Sequence, residues 1–259
     1  MTLALDRPVT RPPVGKPRRA QSVVLVAHGS SDPRAAMHTR ALAWAVGAEP
    51  SYLDHAGPRP GEVLARIEAA GHRSAVLVPL LLTAAYHGRV DIPQVVVDAR
   101  AEGLTLPVAV TDVLGPVAGT VPVELLSALR GNLPAVPFDG IVLGAAGTRD
   151  AVARTTVDLV AGRLGTALGV PCIPAYASAS GPTAGEAVGL LRAAGAHRVV
   201  MASYFLAPGK LYDLACRSAL AAGAVAVAAP LGADLALVRL VHRRIAESSR
   251  PAHATAPLR

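Results

Sequence analysis

SVVLVAHGSSDPR, residues 22–34, is answered in the second half of the chain by DGIVLGAAGTRD, residues 139–150. Each segment opens on a short, continuously apolar, β-branched run, the pattern of a strand buried on both faces of a parallel sheet. Each then turns polar at a glycine followed by a hydroxyl residue, Gly29-Ser30 and Gly147-Thr148. An aspartate comes next, Asp32 or Asp150, placed to cap a following helix. In the first copy Pro33 stands where a helix start accepts proline.

The same pairing continues outward. AHRVVMASYFLAPGK (196–210) parallels GHRSAVLVPLLLTAAYH (71–87), and AVAVAAPLGADLALVRLVHRR (224–244) parallels VAVTDVLGPVAGTVPVELLSALR (108–130). In the first half strands are expected over 22–28, near Tyr52, over 74–82 and over 107–112. Helices are expected from Asp32 to about Gly47, from Pro60 to Gly71, from Asp91 or a neighbour to about Gly103, and over 118–131. Strands alternating with helices, twice over, predict an α/β protein made by duplication. Each half should be a four-stranded, mainly parallel sheet with helices on both faces, the halves related by a pseudo-twofold axis. The expected organisation is a basic tail at 1–20, one α/β domain at 21–132, a second at 133–249 and a short tail at 250–259. Trp44, Cys172 and Cys216 are expected in the core or at its boundary.

Composition narrows the function. No apolar run is long enough to cross a membrane, and the proline- and arginine-rich start lacks a secretory h-region. Two unpaired cysteines favour a reducing, cytoplasmic setting over a disulfide scaffold. The net charge of +7 suggests an anionic partner, but seven of the 25 basic residues lie in the tails and the rest are scattered. No basic stripe or nucleic-acid motif is present, so a small acidic ligand fits better than DNA. The chain also lacks the GxxxxGK, GxGxxG and GxSxG patterns of nucleotide-binding proteins and α/β-hydrolases.

In open parallel sheets ligands bind beyond the C-terminal strand ends, where the strand order reverses. With the order 2-1-3-4, the loops after the first and third strands share that crevice. They are AHGSSDPR (27–34) and TAAYHGRVD (83–91), and they bring together His28 and His87. The second half has Ala146 in place of His28 and Lys210 or Leu211 in place of His87, so the histidines are not demanded by the scaffold. Neutral imidazole binds borderline divalent metals and accepts protons near neutral pH. Asp32 and Asp91 read first as helix caps. His38, His55, His242 and His253 read as structural or surface residues.

LVAHGSSDPR and VPLLLTAAYHGRVDIP, in this order and at this separation, resemble the two signature loops of the sirohydrochlorin chelatase family. The resemblance spans residues 21–245 and includes the duplication. It implies a lyase-class metal chelatase with two flavodoxin-like domains. The implied reaction inserts a divalent metal, Fe2+ in first place, into the polycarboxylate tetrapyrrole sirohydrochlorin on the way to sirohaem. Cobalt insertion toward the corrin route is the alternative, and a non-catalytic tetrapyrrole or metal carrier is another. His28 and His87 take the metal-handling role that the resemblance implies, with the metal as substrate and no permanently bound cofactor. Ser30, Ser31, Arg34, Tyr86, Arg89, Arg149 and Lys210 are the candidates for holding substrate carboxylates, since they lie in loops or first turns at the expected sheet edge. No nucleic-acid or membrane partner is expected, and a monomer or weak homodimer suffices because one chain supplies both halves of a cleft.

Overall fold

The structure is a computed structural model that describes residues 21–83 and 91–249. The first half contains β1 (Ser22–Ala27), α1 (Pro33–Val46), β2 (Glu49–Tyr52), α2 (Pro60–Ala69), β3 (Ala75–Pro79), α3 (Ile92–Ala101), β4 (Val108–Val110) and α4 (Val123–Gly131). The second contains β5 (Gly140–Ala145), α5 (Ala151–Leu168), β6 (Cys172–Tyr176), α6 (Ala184–Ala193), β7 (Val199–Tyr204), α7 (Lys210–Ala221), β8 (Ala226–Val227) and α8 (Leu235–Ser248). Two four-stranded sheets result, ordered β2-β1-β3-β4 and β6-β5-β7-β8. Every strand pairing in them is parallel.

Side-chain alternation along β1 fixes the layers. Val24 and Val26 pack outward with Val63, Leu64 and Ile67 of α2, whereas Leu25 and Ala27 face inward. The second sheet repeats the division, with Val142 facing outward and Ile141 and Leu143 inward. Both inward faces belong to one continuous apolar core that also holds buried residues of α1, α4, α5 and α8. The closing helices cross over: α4 touches β7 and α5 of the second half, and α8 touches β3 and α1 of the first. Arg244 of α8, only 6% exposed, donates from Nε to the Val113 carbonyl and from its terminal nitrogen to the Gly115 carbonyl. The α8 helix is thereby fastened to the loop after β4.

The expected elements are present with adjusted ends. β3 stops at Pro79, well short of residue 82, because proline has no amide for the ladder; Leu80 still donates to the Val26 carbonyl before the chain turns away. The fourth helix starts at Val123 rather than 118, since Val117 and Thr120 pair in a tight turn ahead of Pro122. Asp32 does cap α1, accepting from the Arg34 amide, whereas Asp91 stands in αR conformation at the start of α3 without a capping side-chain bond. Trp44 departs most from expectation: it is 87% exposed, one step around α1 from the buried Ala43. Cys172 and Cys216 are free and partly buried.

Candidate functional site

The loop after β1 is built on a glycine. Gly29 has φ +95°, and a Cβ there would collide with the Asp54 carbonyl, so the loops after β1 and β2 sit directly on one another. Gly147 has φ +98° and meets the Ser178 carbonyl in the same way. Glycine enters such backbone conformations without steric cost. Ser30 Oγ accepts from the Asp32 amide at 3.1 Å, and Thr148 Oγ1 accepts from the Asp150 amide at 3.1 Å. These matched contacts make Ala146 the structural counterpart of His28.

His28 is the first residue past β1 and is exposed. It lines a cavity of about 670 Å³ at the C-terminal edges of both sheets. Leu80 to Thr83 form one wall, Ala145 to Asp150 another, and Tyr204, Phe205 and Leu206 close it from the second half. The lining is mostly apolar, broken by His28, Thr83, Thr148, Arg149 and Asp150. A mainly apolar cleft with a few placed polar groups suits an organic ligand of considerable size. Tyr204 Oη donates to the Leu82 carbonyl across the halves at 2.7 Å. Burial raises this phenol far above its ordinary pKa, so it remains a donor.

The expected site residues fall into three groups. His28 and the exposed Arg149 share the large cavity. Ser30, Ser31 and Lys210 instead border a small polar recess of about 360 Å³ with Asp32, Asp213 and Arg217. Arg34 is engaged within the protein: one terminal nitrogen lies 2.6 Å from Asp32 Oδ2 and 2.6 Å from Asp213 Oδ2 on α7. The bonds it donates to Asp32 and then to Asp213 strengthen its hold on its proton. The side-chain bond from Arg34 in turn holds the Asp32 carboxyl below the usual range. Tyr86, His87 and Arg89 lie outside the described residues, as does any contact between His87 and His28. Thr83, four residues before His87, lines the cavity that His28 lines.

Sequence reasoning passed over the loop after β2. The His55 ring lies 6.3 Å from the His28 ring, centroid to centroid, at an interplanar angle of 23°. The Asp54 amide donates to the His28 carbonyl at 2.7 Å. The His55 amide donates to Asp54 Oδ1 at 2.8 Å and is the leading cause of the lowered Asp54 pKa. A signal was available: in a 2-1-3-4 sheet the second strand is the other neighbour of the first, so its loop opens beside His28 as well. The β2 sequence EPSY conceals this, because it carries neither an apolar run nor a clear alternation. Among the described residues no three histidine, cysteine or acidic side chains are grouped closely enough to hold a metal ion.

Comparison with known proteins bears on this arrangement. The model of the CbiX family matches residues 22–123 and 140–248. No curated protein sequence matches significantly. The structure "SirB from Bacillus subtilis with Fe3+" superposes with a TM-score of 0.74 at 21% identity, covering 89% of this chain and 96% of that one. The sirohydrochlorin chelatase SirB from Bacillus subtilis subspecies spizizenii, in complex with cobalt, gives 0.75 at 19% identity over 89% and 95% of the two chains. CbiX, described as the terminal enzyme for biosynthesis of siroheme in denitrifying bacteria, gives 0.59 at 15% identity over 88% and 100%. At these identities the superpositions establish a shared two-sheet α/β fold.

Proposed function

The chain belongs to the CbiX family, and from that premise we propose that it inserts a divalent metal ion, Fe2+ ahead of Co2+, into sirohydrochlorin. The observation that carries the proposal is the position of His28, on the wall of a large, mainly apolar cavity enclosed by the C-terminal edges of both sheets. Its apolar walls would hold the macrocycle, and Arg149 at the rim would meet a peripheral carboxylate. Insertion exchanges one M2+ for two pyrrole N–H protons. A neutral imidazole at His28, with His87 as its partner from the loop after β3, would ligate the incoming ion and accept protons as it leaves. An open site suits this role, since a closed four-ligand cage would retain the ion. The metal-bound SirB structures, one with iron and one with cobalt, support a fold that handles either ion. Arg34, Ser30, Ser31, Lys210, Tyr86 and Arg89 complete the proposed carboxylate-binding set. Arg34 would have to exchange Asp213 for a substrate carboxylate.

The test is anaerobic incubation of the purified protein with sirohydrochlorin and Fe2+ or Co2+ in separate reactions, following the tetrapyrrole absorbance. Metal-dependent conversion above the protein-free rate, faster with Fe2+, is expected. Tight tetrapyrrole binding without conversion by either ion would make the protein a carrier. Conversion with Co2+ alone would place it on the cobalt route.

A further inference from the structure

We propose that His55 is a further metal-handling residue, a landing ligand that shares the incoming divalent ion with His28 at the mouth of the cavity. The two rings lie nearly parallel on adjacent loops, with centroids 6.3 Å apart. Two imidazoles ligating one ion through nitrogens at about 2.1 Å would place their centroids roughly 5–6 Å apart. The separation is close to that span, and rotation of the exposed His55 side chain would have to bring one nitrogen of each ring onto the ion. The loops cannot drift apart easily, because the Asp54 amide is bonded to the His28 carbonyl and Gly29 packs beneath the Asp54 carbonyl. Asp54 supplies the charge, its carboxylate lying 3.5 Å from His55 Nε2. Both side chains are about half exposed, so an ion arriving from solvent meets them first.

The duplication separates scaffold from chemistry here. His55 has a positive φ of 57°, and so does its counterpart Ala179, at 67°. The turn is therefore a property of the fold. What differs between the halves is the side-chain set: His28, Asp54 and His55 in the first, Ala146, Ser178 and Ala179 in the second. Imidazoles and a carboxylate are concentrated in the half that carries His28, on a backbone that forms equally well without them. A pair of imidazoles binds a borderline divalent ion and releases it readily, as transfer to a tetrapyrrole requires.

The inference relies on the chelatase reading for the fate of the ion but not for its binding, and the test uses that difference. The full-length protein is titrated with Co2+ without tetrapyrrole, following the ligand-field absorption, for wild type, His55→Ala, His55→Asn and the remote control His242→Ala. Ala179 shows that alanine fits this turn, and asparagine favours positive φ, so both His55 variants should fold. Loss of about tenfold or more in Co2+ affinity is expected for both, and none for His242→Ala. In the insertion assay the KM for metal should rise, while kcat at saturating metal and tetrapyrrole affinity stay near wild type. Unchanged Co2+ affinity in both variants, or a parallel loss of tetrapyrrole affinity, would overturn the proposal. If the wild type inserts no metal, the chelatase reading fails, and the Co2+ titration alone still decides the role of His55.

Discussion

His28 leaves β1 at the point where the strand ladder ends and the cavity wall begins, so its backbone is held by the sheet while its ring is exposed to the cleft. Truncating it should leave the fold intact and remove the chemistry. His28→Ala and His87→Ala are each expected to bind sirohydrochlorin normally and to lose about 100- to 10,000-fold in insertion rate, the usual cost of removing a group that moves protons. Stopped-flow absorbance against the uncatalysed rate checks this, and a double variant that inserts metal at the wild-type rate would take these residues out of the mechanism. Asp32 gives a different kind of test. Its pKa is depressed chiefly by the Arg34 side-chain bond, then by the Arg34 amide. A depressed carboxylate contributes stability that is present above its unfolded pKa, about 3.8–3.9, and lost as pH falls through the lower folded value. The melting temperature of the wild type should therefore drop below about pH 4 more steeply than that of Asp32→Asn. Equal slopes would show that the Arg34 clasp contributes nothing in solution. Strand order and one strand end were enough to place His28 from sequence. The Arg34–Asp213 contact was not legible, because it joins residues from different halves and carries no local signal.

Among the elements, the loop–helix starts at 28–32 and 146–150 are the same device used twice, and only the first carries a histidine. Their common requirement is a glycine at positive φ pressed against a neighbouring carbonyl. Gly147→Ala tests the device in the half that lacks the histidine. The new Cβ would have to displace the Ser178 carbonyl while its residue adopts a left-handed backbone, so a loss of about 2 kcal/mol or more is expected in urea denaturation. A loss below about 0.5 kcal/mol would mean that the loop re-forms in another conformation. Sequence patterns found these starts because a cap, a glycine and an apolar run coincide within a dozen residues. They misplaced the end of β3 and the start of α4 for the opposite reason. The apolar run Leu80-Leu81-Leu82 continues beyond Pro79 as cavity wall rather than as strand, and Val117 to Pro122 belong to a turn whose residues are as apolar as a helix. Apolarity reports burial, and a cleft lined with leucine buries side chains without sheet or helix.

For the whole molecule, the duplication gives two similar α/β halves, and these are packed on one another. The inward faces of both sheets share one core, and each half gives its last helix to the other. Each sheet keeps α1 or α5 of its own half but loses the rest of its inner covering if the opposite half unfolds. Residues 21–249 should therefore melt in one cooperative transition, with equal calorimetric and van't Hoff enthalpies. Arg244 is the contact through which this coupling is best tested. Its guanidinium, nearly inaccessible to solvent, fastens α8 to the Val113 and Gly115 carbonyls and also pairs with Glu247. Methionine would retain much of the volume but leave both carbonyls without their donors. Hydrogen bonds to charged groups contribute roughly 1.5–3 kcal/mol each, and a protein of this size loses about 2–4 °C per kcal/mol. Arg244→Met should thus lower the melting temperature by roughly 6–24 °C while keeping a single transition. Near-ultraviolet circular dichroism and tyrosine fluorescence should report the same midpoint, since Tyr52 lies in the first half and Tyr176 and Tyr204 in the second. Two resolved transitions in the variant, with the first half melting ahead of the second, would show that the exchanged helices decorate two autonomous domains rather than join them.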